Sequence, residues 1–458
     1  MLEQIGAFLG DLVGESWVSD MTLRGEHVAL FRQYEEGDHR AKLTDTMKEM
    51  LRISGTALDQ FNANYCEMVV AAMADRLNVI SIDGARDDET RWSAEVLRRN
   101  RFDGLQMDAH QAAIRDGATY IMIEPQDDGM PVLAHEPAWD GDSGLIPIYD
   151  RAQRDLLAAA KVWHEGSARR VNMYWPDEIN KYRADGAEGQ LQLIDQIKWV
   201  GGDGEALGVP LVPLVNRLRT RNPYGISEIS KIIPLQDVLN RALYSLVATG
   251  ELTAFQIRYL IGAKLENRKV TPGMFLEIGG DGIDSAQRVE VGVLPQGEIG
   301  QMINLATFAI DQICTVSRTP LLTGALGGDK SGETLKMLET GLLGKIRGFH
   351  TKAGNSWEDV MSLAARLQAE FGTAATPVNA TWSCRWQPAE LRNDTEVTKN
   401  AKEVADRVSA RQFLRMIAPV WGWSNDQIDA IIEERDEERL VSLASLGSSL
   451  PGFDQFAP

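Results

Sequence analysis

The sequence predicts an α+β protein of several structural units, and three observations support this fold class. Its 458 residues are enough for two to four domains at roughly 100 to 200 residues each. Apolar residues recur at helical spacing in several stretches, the clearest of which begins at Leu235. Between residues 131 and 200, short β-branched and aromatic runs instead alternate with turn sequences, a pattern typical of antiparallel strands.

The N-terminal part is predicted to be mainly helical. Its apolar periodicity indicates helices at residues 57–77, 91–100 and 104–116. The polar, acidic residues 83–90 form a predicted break between the first two. A strand is expected at residues 118–124, because the run ATYIMIE is β-branched and aromatic and Pro125 ends it.

An antiparallel meander is predicted next. Its main strands are LLAAAKVWHE (156–165), RRVNMYWP (169–176), EINKYRA (178–184) and LIDQIKWV (193–200). They are separated by GSA, PDE and ADGAEG, which favour turns. Residues 201–213 are interpreted as a Gly/Pro-rich connection, in which Pro210 and Pro213 exclude a central strand.

Two apolar-striped helices follow, with a compact insert between them. Pro234 fits the first turn of one helix, whose stripe continues to Val247. The insert contains the strand-like runs QIRYLIG and MFLEIG. The remaining elements are predicted as a helix at 298–316, a long helix at 332–371, a strand at 378–386 and a polar helical tail from residue 388.

Charge and composition exclude several classes of protein. The 47 basic and 66 acidic residues give a formal net charge of −19, which argues against a surface built to grip nucleic acid tightly. The three cysteines and six histidines are scattered without metal-binding spacing, so no metal is expected and a reduced cytoplasmic compartment fits. Neither a membrane-spanning run nor a secretory start is predicted. The acidic runs, such as residues 87–89 and 433–438, are interpreted as solvated faces, and the tryptophans as core residues.

Residues 324–332 (GALGGDKSG) invite comparison with a phosphate-binding loop. Such a loop needs a glycine, four residues and then Gly-Lys-Ser/Thr, because bare backbone amides wrap the phosphates. Asp329 stands where the second glycine is required, and its carboxylate would repel phosphate. The segment is better interpreted as a glycine loop opening a helix capped by Ser331. A nucleotide-dependent enzyme using this loop is the alternative hypothesis.

Four segments carry a resemblance to a known family. They are residues 62–82 (NANYCEMVVAAMADRLNVISI), 99–123 (RNRFDGLQMDAHQAAIRDGATYIMI), 224–262 (YGISEISKIIPLQDVLNRALYSLVATGELTAFQIRYLIG) and 317–346 (SRTPLLTGALGGDKSGETLKMLETGLLGKI). In their order and spacing they resemble the portal proteins of tailed double-stranded DNA bacteriophages, in the subgroup of siphophage portals. The likeness covers roughly residues 20–440.

The resemblance implies a non-enzymatic homododecameric ring at one capsid vertex, through which viral DNA is packaged and ejected. It also implies contacts with the large terminase subunit, the major capsid and scaffolding proteins and the head-tail adaptors, and no cofactor. The implied parts are a wing (1–225 and 334–388), stem helices (226–253 and 298–318), a clip (254–297), a tunnel loop (319–333) and a crown (389–458). A capsid scaffold or adaptor without a channel is a further alternative.

The same likeness implies three groups of functional residues. The DNA-facing tunnel loop would contain Thr323, Gly324, Gly327, Gly328, Asp329, Lys330 and Ser331. The clip would present Lys264, Arg268, Lys269, Asp281, Asp284 and Arg288 to terminase or adaptor proteins. Stem packing would use Leu235, Leu239, Leu243, Ile303 and Ile310. Lys330 is a candidate phosphate contact or, equally, an exposed lysine without a role.

Overall fold

The structure is a computed structural model, and it is α+β as predicted. It describes residues 1–39, 45, 63–126, 128–150, 155–186, 189–217, 222–254, 258–261, 275–278, 290–293, 299–320, 332–372, 376–390, 399, 402–403, 405–421, 427–428 and 430–437. The chain divides into two compact units, Met1–Trp386 and Gln387–Pro458. The described strands all belong to the first unit.

Five helices lie in the N-terminal part of the first unit. They are α1 (Leu2–Leu9), α2 (Trp17–Glu36), α3 (Tyr65–Ala74), α4 (Asp87–Arg99) and α5 (Phe102–Asp116). Helix α3 confirms part of the predicted helix 57–77, whose first residues lie outside the described part of the chain. Helix α5 begins two residues before the predicted position, which is within the usual variation of helix ends.

The start of α4 corrects the predicted acidic break at residues 83–90. The helix begins at Asp87 because acidic side chains in a first turn interact favourably with the positive end of the helix dipole. The Glu89 carboxylate also accepts a hydrogen bond from the Arg86 amide at 2.9 Å. Glu89 is buried, so the interpretation of residues 87–89 as a solvated face is wrong at this position. Residues 433–437, in contrast, are exposed as expected.

The predicted meander is confirmed as a five-stranded antiparallel sheet. Its strands follow the chain order β4 (Gly144–Tyr149), β5 (Leu156–Glu165), β6 (Ala168–Tyr174), β7 (Glu178–Asp185) and β8 (Gln192–Lys198). Helices α1 and α2 cover one face, where Ile5, Leu9, Trp17 and Met21 belong to one core cluster with the sheet residues Ile146 and Val162. The sheet residues in this cluster occupy alternate positions, which point to one face of the sheet: Ile146 and Ile148 on β4, and Ala158, Ala160 and Val162 on β5.

A second sheet has the strand order β3 (Pro131–Glu136), β2 (Ala118–Pro125) and β9 (Leu211–Val215). The expected strand at 118–124 is its centre. Strand β9 corrects the predicted connection at residues 201–213, since residues 211–213 belong to the sheet. Pro213 is tolerated there because β9 is an edge strand with β2 as its partner.

The remaining elements include the two predicted apolar-striped helices. They are α6 (Ile233–Ala254), β10 (Arg258–Ile261), β11 (Phe275–Ile278), β12 (Glu290–Val293), α7 (Ile299–Ser317), α8 (Gly332–Phe371), β13 (Ser383–Trp386) and, in the second unit, α9 (Ala410–Trp421). Strand β10 pairs parallel to β11 and antiparallel to β12. Strand β13, which pairs with β1 (Val79–Asp83), is shorter than the predicted 378–386.

The 40-residue helix α8 contributes to the core of the first unit through the buried Trp357. The Trp357 Nε1–H group donates a hydrogen bond to Nε2 of His110 at 3.0 Å. Since Nε2 accepts, Nδ1 of His110 carries the proton and donates it to the Leu77 carbonyl oxygen at 2.9 Å. Trp139, Trp199 and Trp382 are also buried, which agrees with tryptophans acting in core packing.

We predict that His110 makes the fold sensitive to mild acid. The pKa of His110 is lowered from 6.5 to about 4, chiefly by burial; the Leu77 carbonyl opposes this shift and the nearby His350 adds to it. The unfolded chain therefore binds the proton more readily, and stability present at neutral pH is lost as the pH falls from 6.5 towards 4. At pH about 5 the expected loss through this one side chain is about 2 kcal/mol.

The measurement is the midpoint of thermal unfolding, Tm, at neutral pH and at pH about 5. His110→Gln is expected to lower Tm at neutral pH but to show a smaller acid-induced drop than the unmodified protein. His27 is exposed, and His27→Gln is the matched control that should keep the full drop. An equal acid-induced drop in Tm in the unmodified protein and in His110→Gln would contradict the role of His110 in the acid sensitivity.

Candidate functional site: a helix pair on a polar base

Helices α6 and α7 pack closely against each other along an extensive contact. Several of the buried residues on them are small, which lets the two backbones approach. They include Ala242 on α6 and Ala306 and Ala309 on α7. Leu239 and Ile313 are buried between or beside these alanines, so each helix keeps one apolar stripe inside the unit.

Helix α7 also exposes large apolar side chains. Ile303, Leu305, Phe308 and Val316 have fractional exposures between 42 % and 58 %. At about 100° of rotation per residue, Leu305, Phe308 and Val316 lie to one side of the buried stripe and Ile303 lies to the other. The helix therefore presents apolar surface on both flanks, which is the pattern of a surface that meets further protein.

The N-terminal half of α6 rests on a buried polar base. The Asn240 Oδ1 atom accepts hydrogen bonds from the Ala63 amide at 3.1 Å and from Gln236 Nε2 at 3.0 Å. Its Nδ2 group pairs with His39 Nε2 at 3.0 Å. Gln236 Oε1 accepts from the Tyr65 amide at 3.0 Å, and Gln236 Nε2 donates to the Ala63 carbonyl. These bonds tie α6 to the segment that opens α3.

The same base includes the C-terminal end of α2. The Tyr34 hydroxyl donates to the Asp237 carboxylate at 2.5 Å, and the Tyr34 ring stacks on His39 with a centroid separation of 4.1 Å. Both aromatic residues are buried. The base thus fixes the direction in which α6 leaves the rest of the unit.

The C-terminal end of α7 is held by a buried ion pair. The Lys345 ammonium, on α8, lies 2.5 Å from Glu228 Oε2 and donates to the Ser317 carbonyl at 2.7 Å. Both charged side chains are almost completely buried. Burial lowers the pKa of Lys345, and the Glu228 carboxylate partly offsets that effect. A cation at the last carbonyls also interacts favourably with the negative end of the helix dipole.

The structure places the five predicted stem residues on the helix pair. Leu239 is buried, and Leu235, Leu243 and Ile310 are half-buried, whereas Ile303 is half-exposed. The predicted tunnel-loop residues Thr323, Gly324, Gly327, Gly328, Asp329, Lys330 and Ser331 lie outside the described part of the chain. So do the predicted clip residues Lys264, Arg268, Lys269, Asp281, Asp284 and Arg288.

The polar residues that hold the helix pair were not predicted from the sequence. Gln236 and Asn240 offered a signal, because two amides four residues apart lie on one face of a helix whose neighbouring positions are apolar. Glu228 and Lys345 offered none, since nothing in their local sequence indicates burial.

The described residues contain neither a metal-binding cluster nor a membrane-spanning helix. No group of three or more His, Cys, Asp or Glu side chains there is arranged to hold a metal ion. No helix in that part of the chain is both long and apolar enough to cross a membrane.

Comparison with known proteins gives one family. The model of the family described as "Phage portal protein, SPP1 Gp6-like" matches residues 30–439. The chain is 28 % identical over 418 residues to the portal protein of Mycobacterium phage D29, which covers 84 % of this chain and 81 % of that protein. It is 27 % identical over 331 residues to the portal protein of Mycobacterium phage L5, covering 67 % of this chain and 65 % of that protein.

Solved structures give a more distant likeness. A chain in the neck of an empty GTA particle aligns with a TM-score of 0.44 at 12 % identity. The alignment covers 82 % of this chain and 95 % of that chain. This score lies below the level at which two chains are taken to share a fold.

We predict that the polar base, rather than the apolar stripe alone, fixes α6. Asn240→Ala removes the acceptor of the Ala63 amide and leaves His39 without this partner in a buried place. The expected loss is about 1–3 kcal/mol in the free energy of unfolding, measured by urea denaturation.

The matched control is Arg241→Ala, which changes an exposed side chain on the same helix. Its expected effect is within about 0.5 kcal/mol of zero. Equal effects of the two substitutions would show that the buried amide network adds nothing to stability.

Proposed function

The chain belongs to the SPP1 Gp6-like family of phage portal proteins, and we propose that it forms a homododecameric ring at one vertex of a phage head. The central channel of this ring conducts double-stranded DNA during packaging and ejection. The ring also nucleates assembly of the procapsid. In this role the chain carries out no catalytic step and needs no cofactor.

The observation that carries the ring is the double apolar flank of α7. A cyclic ring repeats one heterologous interface, so each subunit needs two different surfaces that fit each other. Ile303 lies on one flank, and Leu305, Phe308 and Val316 lie on the other. Between neighbouring copies, each α7 would therefore meet apolar surface on both sides, and the exposed groups would be buried.

The parts of the ring follow the order of the chain. The stem comprises residues 226–253 and 298–318, and α6 and α7 occupy most of these two ranges. The clip, 254–297, contains the small sheet of β10, β11 and β12. The wing consists of 1–225 and 334–388, the tunnel loop of 319–333 and the crown of 389–458. The support for this division is that the one long insert between the two packed helices carries its own sheet.

Charge favours a channel through which DNA slides. Twelve copies at −19 each give a formal charge of −228. Such a field repels the phosphate backbone from the walls and opposes tight binding. The glycines 324, 327 and 328 would let the tunnel loop change conformation as DNA passes, and Lys330 would touch phosphates intermittently.

The partners of the ring differ along its axis. The large terminase subunit, which would supply ATP hydrolysis, and later the head-tail adaptor proteins would dock on the clip. Its charged residues Lys264, Arg268 and Lys269 and Asp281, Asp284 and Arg288 are the proposed contacts. The major capsid and scaffolding proteins would surround the wing. The protein would then reside at the portal vertex of the virion, and in the host cytoplasm during assembly.

We predict that Phe308→Asp breaks the ring without unfolding the chain. Phe308 is 58 % exposed in the single chain, so its loss costs little fold stability. In the ring, the substitution places a carboxylate in an apolar contact at every interface. Native mass spectrometry should show rings for the unmodified protein and smaller species for the variant, with nearly unchanged Tm.

Met107→Asp is the matched control, since it puts the same charge in place of another exposed apolar side chain, on α5 and not on α7. This variant should still form rings. An unmodified protein that stays monomeric at every salt concentration would contradict the ring itself. Rings formed equally well by Phe308→Asp would contradict the role of this flank.

A further inference from the structure

Two arginines adopt a backbone conformation that residues with a side chain rarely adopt. The φ angle is 50° at Arg217, after β9, and 55° at Arg318, after α7. Among the described non-glycine residues, Arg101 is the one other example. Left-handed non-glycine residues persist only where the surrounding structure enforces them, and they are concentrated at functional sites.

Contacts bring these two arginines to the same place. Glu228 Oε2 lies 2.6 Å from Arg217 Nη2 and 2.5 Å from Lys345 Nζ. Lys345 Nζ in turn donates to the carbonyl of Ser317 at 2.7 Å, and Ser317 is the residue before Arg318. Both arginines therefore lie next to the buried Lys345–Glu228 ion pair.

The local charge is positive although the chain is acidic. Among the residues that the structure describes, Glu228 is the carboxylate paired with this group, and its Oε1 atom already accepts from Asn216 Nδ2 at 3.1 Å. Arg217 and Lys345 bind this carboxylate, and the pKa of Lys345 is lowered by burial and also by the nearby charges of Arg217 and Arg318. The cluster thus carries two positive charges more than its carboxylate balances.

Both guanidinium groups remain accessible. The Arg217 side chain is 36 % exposed although one of its nitrogens holds Glu228. Arg318 is exposed, and its guanidinium has neither a hydrogen bond nor an ion pair in the part of the chain that the structure describes. Its aliphatic stem passes over Gly341 of α8, where a β-carbon would lie 3.3 Å from Arg318 Cβ. The absent side chain at Gly341 leaves room for this stem.

We infer that Arg217 and Arg318 form a binding site for a phosphate group of the DNA backbone. A planar guanidinium donates two parallel hydrogen bonds to the oxygens of a phosphate, and two such groups above a buried ion pair match one phosphodiester. The inference rests on the proposed function, which places the end of the second stem helix beside the channel. In a ring whose total charge repels DNA, each subunit would then offer this local, transient contact in addition to Lys330.

The test compares DNA binding by the full chain and by the double variant Arg217→Gln/Arg318→Gln. The probe is a fluorescein-labelled duplex of about 30 base pairs, titrated by fluorescence anisotropy from about 20 to 200 mM NaCl. We expect the double variant to bind about tenfold or more weakly at the lowest salt. The slope of log K against log salt concentration should become shallower by about 1 to 2.

The matched control is Arg98→Gln/Arg183→Gln. It removes two positive charges from exposed arginines elsewhere and so changes the net charge by the same amount. It should leave the affinity and the salt slope close to those of the unmodified protein. Arg318→Lys keeps the positive charge but not the planar guanidinium with its paired donors. It should therefore retain the salt dependence of DNA binding and lose part of the affinity. Should the double variant be unstable, Arg318→Gln alone removes no described side-chain hydrogen bond or ion pair and decides the question.

Two outcomes would overturn the inference. One is equal DNA affinity and salt slope in the double variant and the unmodified protein. The other is unchanged DNA binding together with smaller assemblies in native mass spectrometry, which would mean that the arginines pair with carboxylates of a neighbouring copy. If the unmodified protein forms no ring, the ring proposal fails, while the comparison of DNA binding still decides this one.

Discussion

The buried carboxylate of Glu228 is the contact on which the arrangement of the first unit depends. It binds Asn216 and Arg217 at the end of β9, and Lys345 on α8. Lys345 also binds the last residue of α7. Four separate segments therefore meet at one charge. Removing one partner of a buried ion pair typically costs about 3–5 kcal/mol, because the remaining charge is left without compensation.

The base of the helix pair stabilises the single chain, whereas the exposed side of α7 would contribute to assembly in the proposed ring. At its base, Gln236 and Asn240 satisfy buried amide and carbonyl groups and tie α6 to the neighbouring segments. Farther along α7, Leu305 and Phe308 are exposed and contribute little to the fold of one chain. Full burial of such a side chain stabilises by about 1.5–3 kcal/mol. Burial of these side chains at each interface of a ring would favour assembly. It would not change the stability of the single subunit.

Local patterns in the sequence predicted most of the elements and few of the contacts. The strand-like run at residues 156–165, bounded by a turn sequence, and the stripe from Leu235 depend on neighbours in the chain, so they were sufficient to predict β5 and α6. The run at 87–89 was misread because a carboxylate such as Glu89 can either face solvent or cap a helix. Strand β9 was missed because Pro213 is acceptable only at a sheet edge, and edges are set by tertiary structure.

For the candidate site, too, local sequence patterns predict the elements and not their contacts. The apolar residues of the stripe were predictable, but which of them lie inside one chain and which face outwards was not. Ile303 and Ile310 fit the same helical period, yet the Ile303 side chain is exposed whereas the Ile310 side chain is partly buried. Net charge has a similar weakness, because screening at physiological salt limits the reach of a charge to about 8 Å. A total of −19 therefore does not describe the surroundings of Lys345, whose pKa responds to Glu228, Arg217 and Arg318. In the proposed channel, the overall acidity of the chain would repel DNA, and the local cluster around Lys345 would determine where a phosphate is bound.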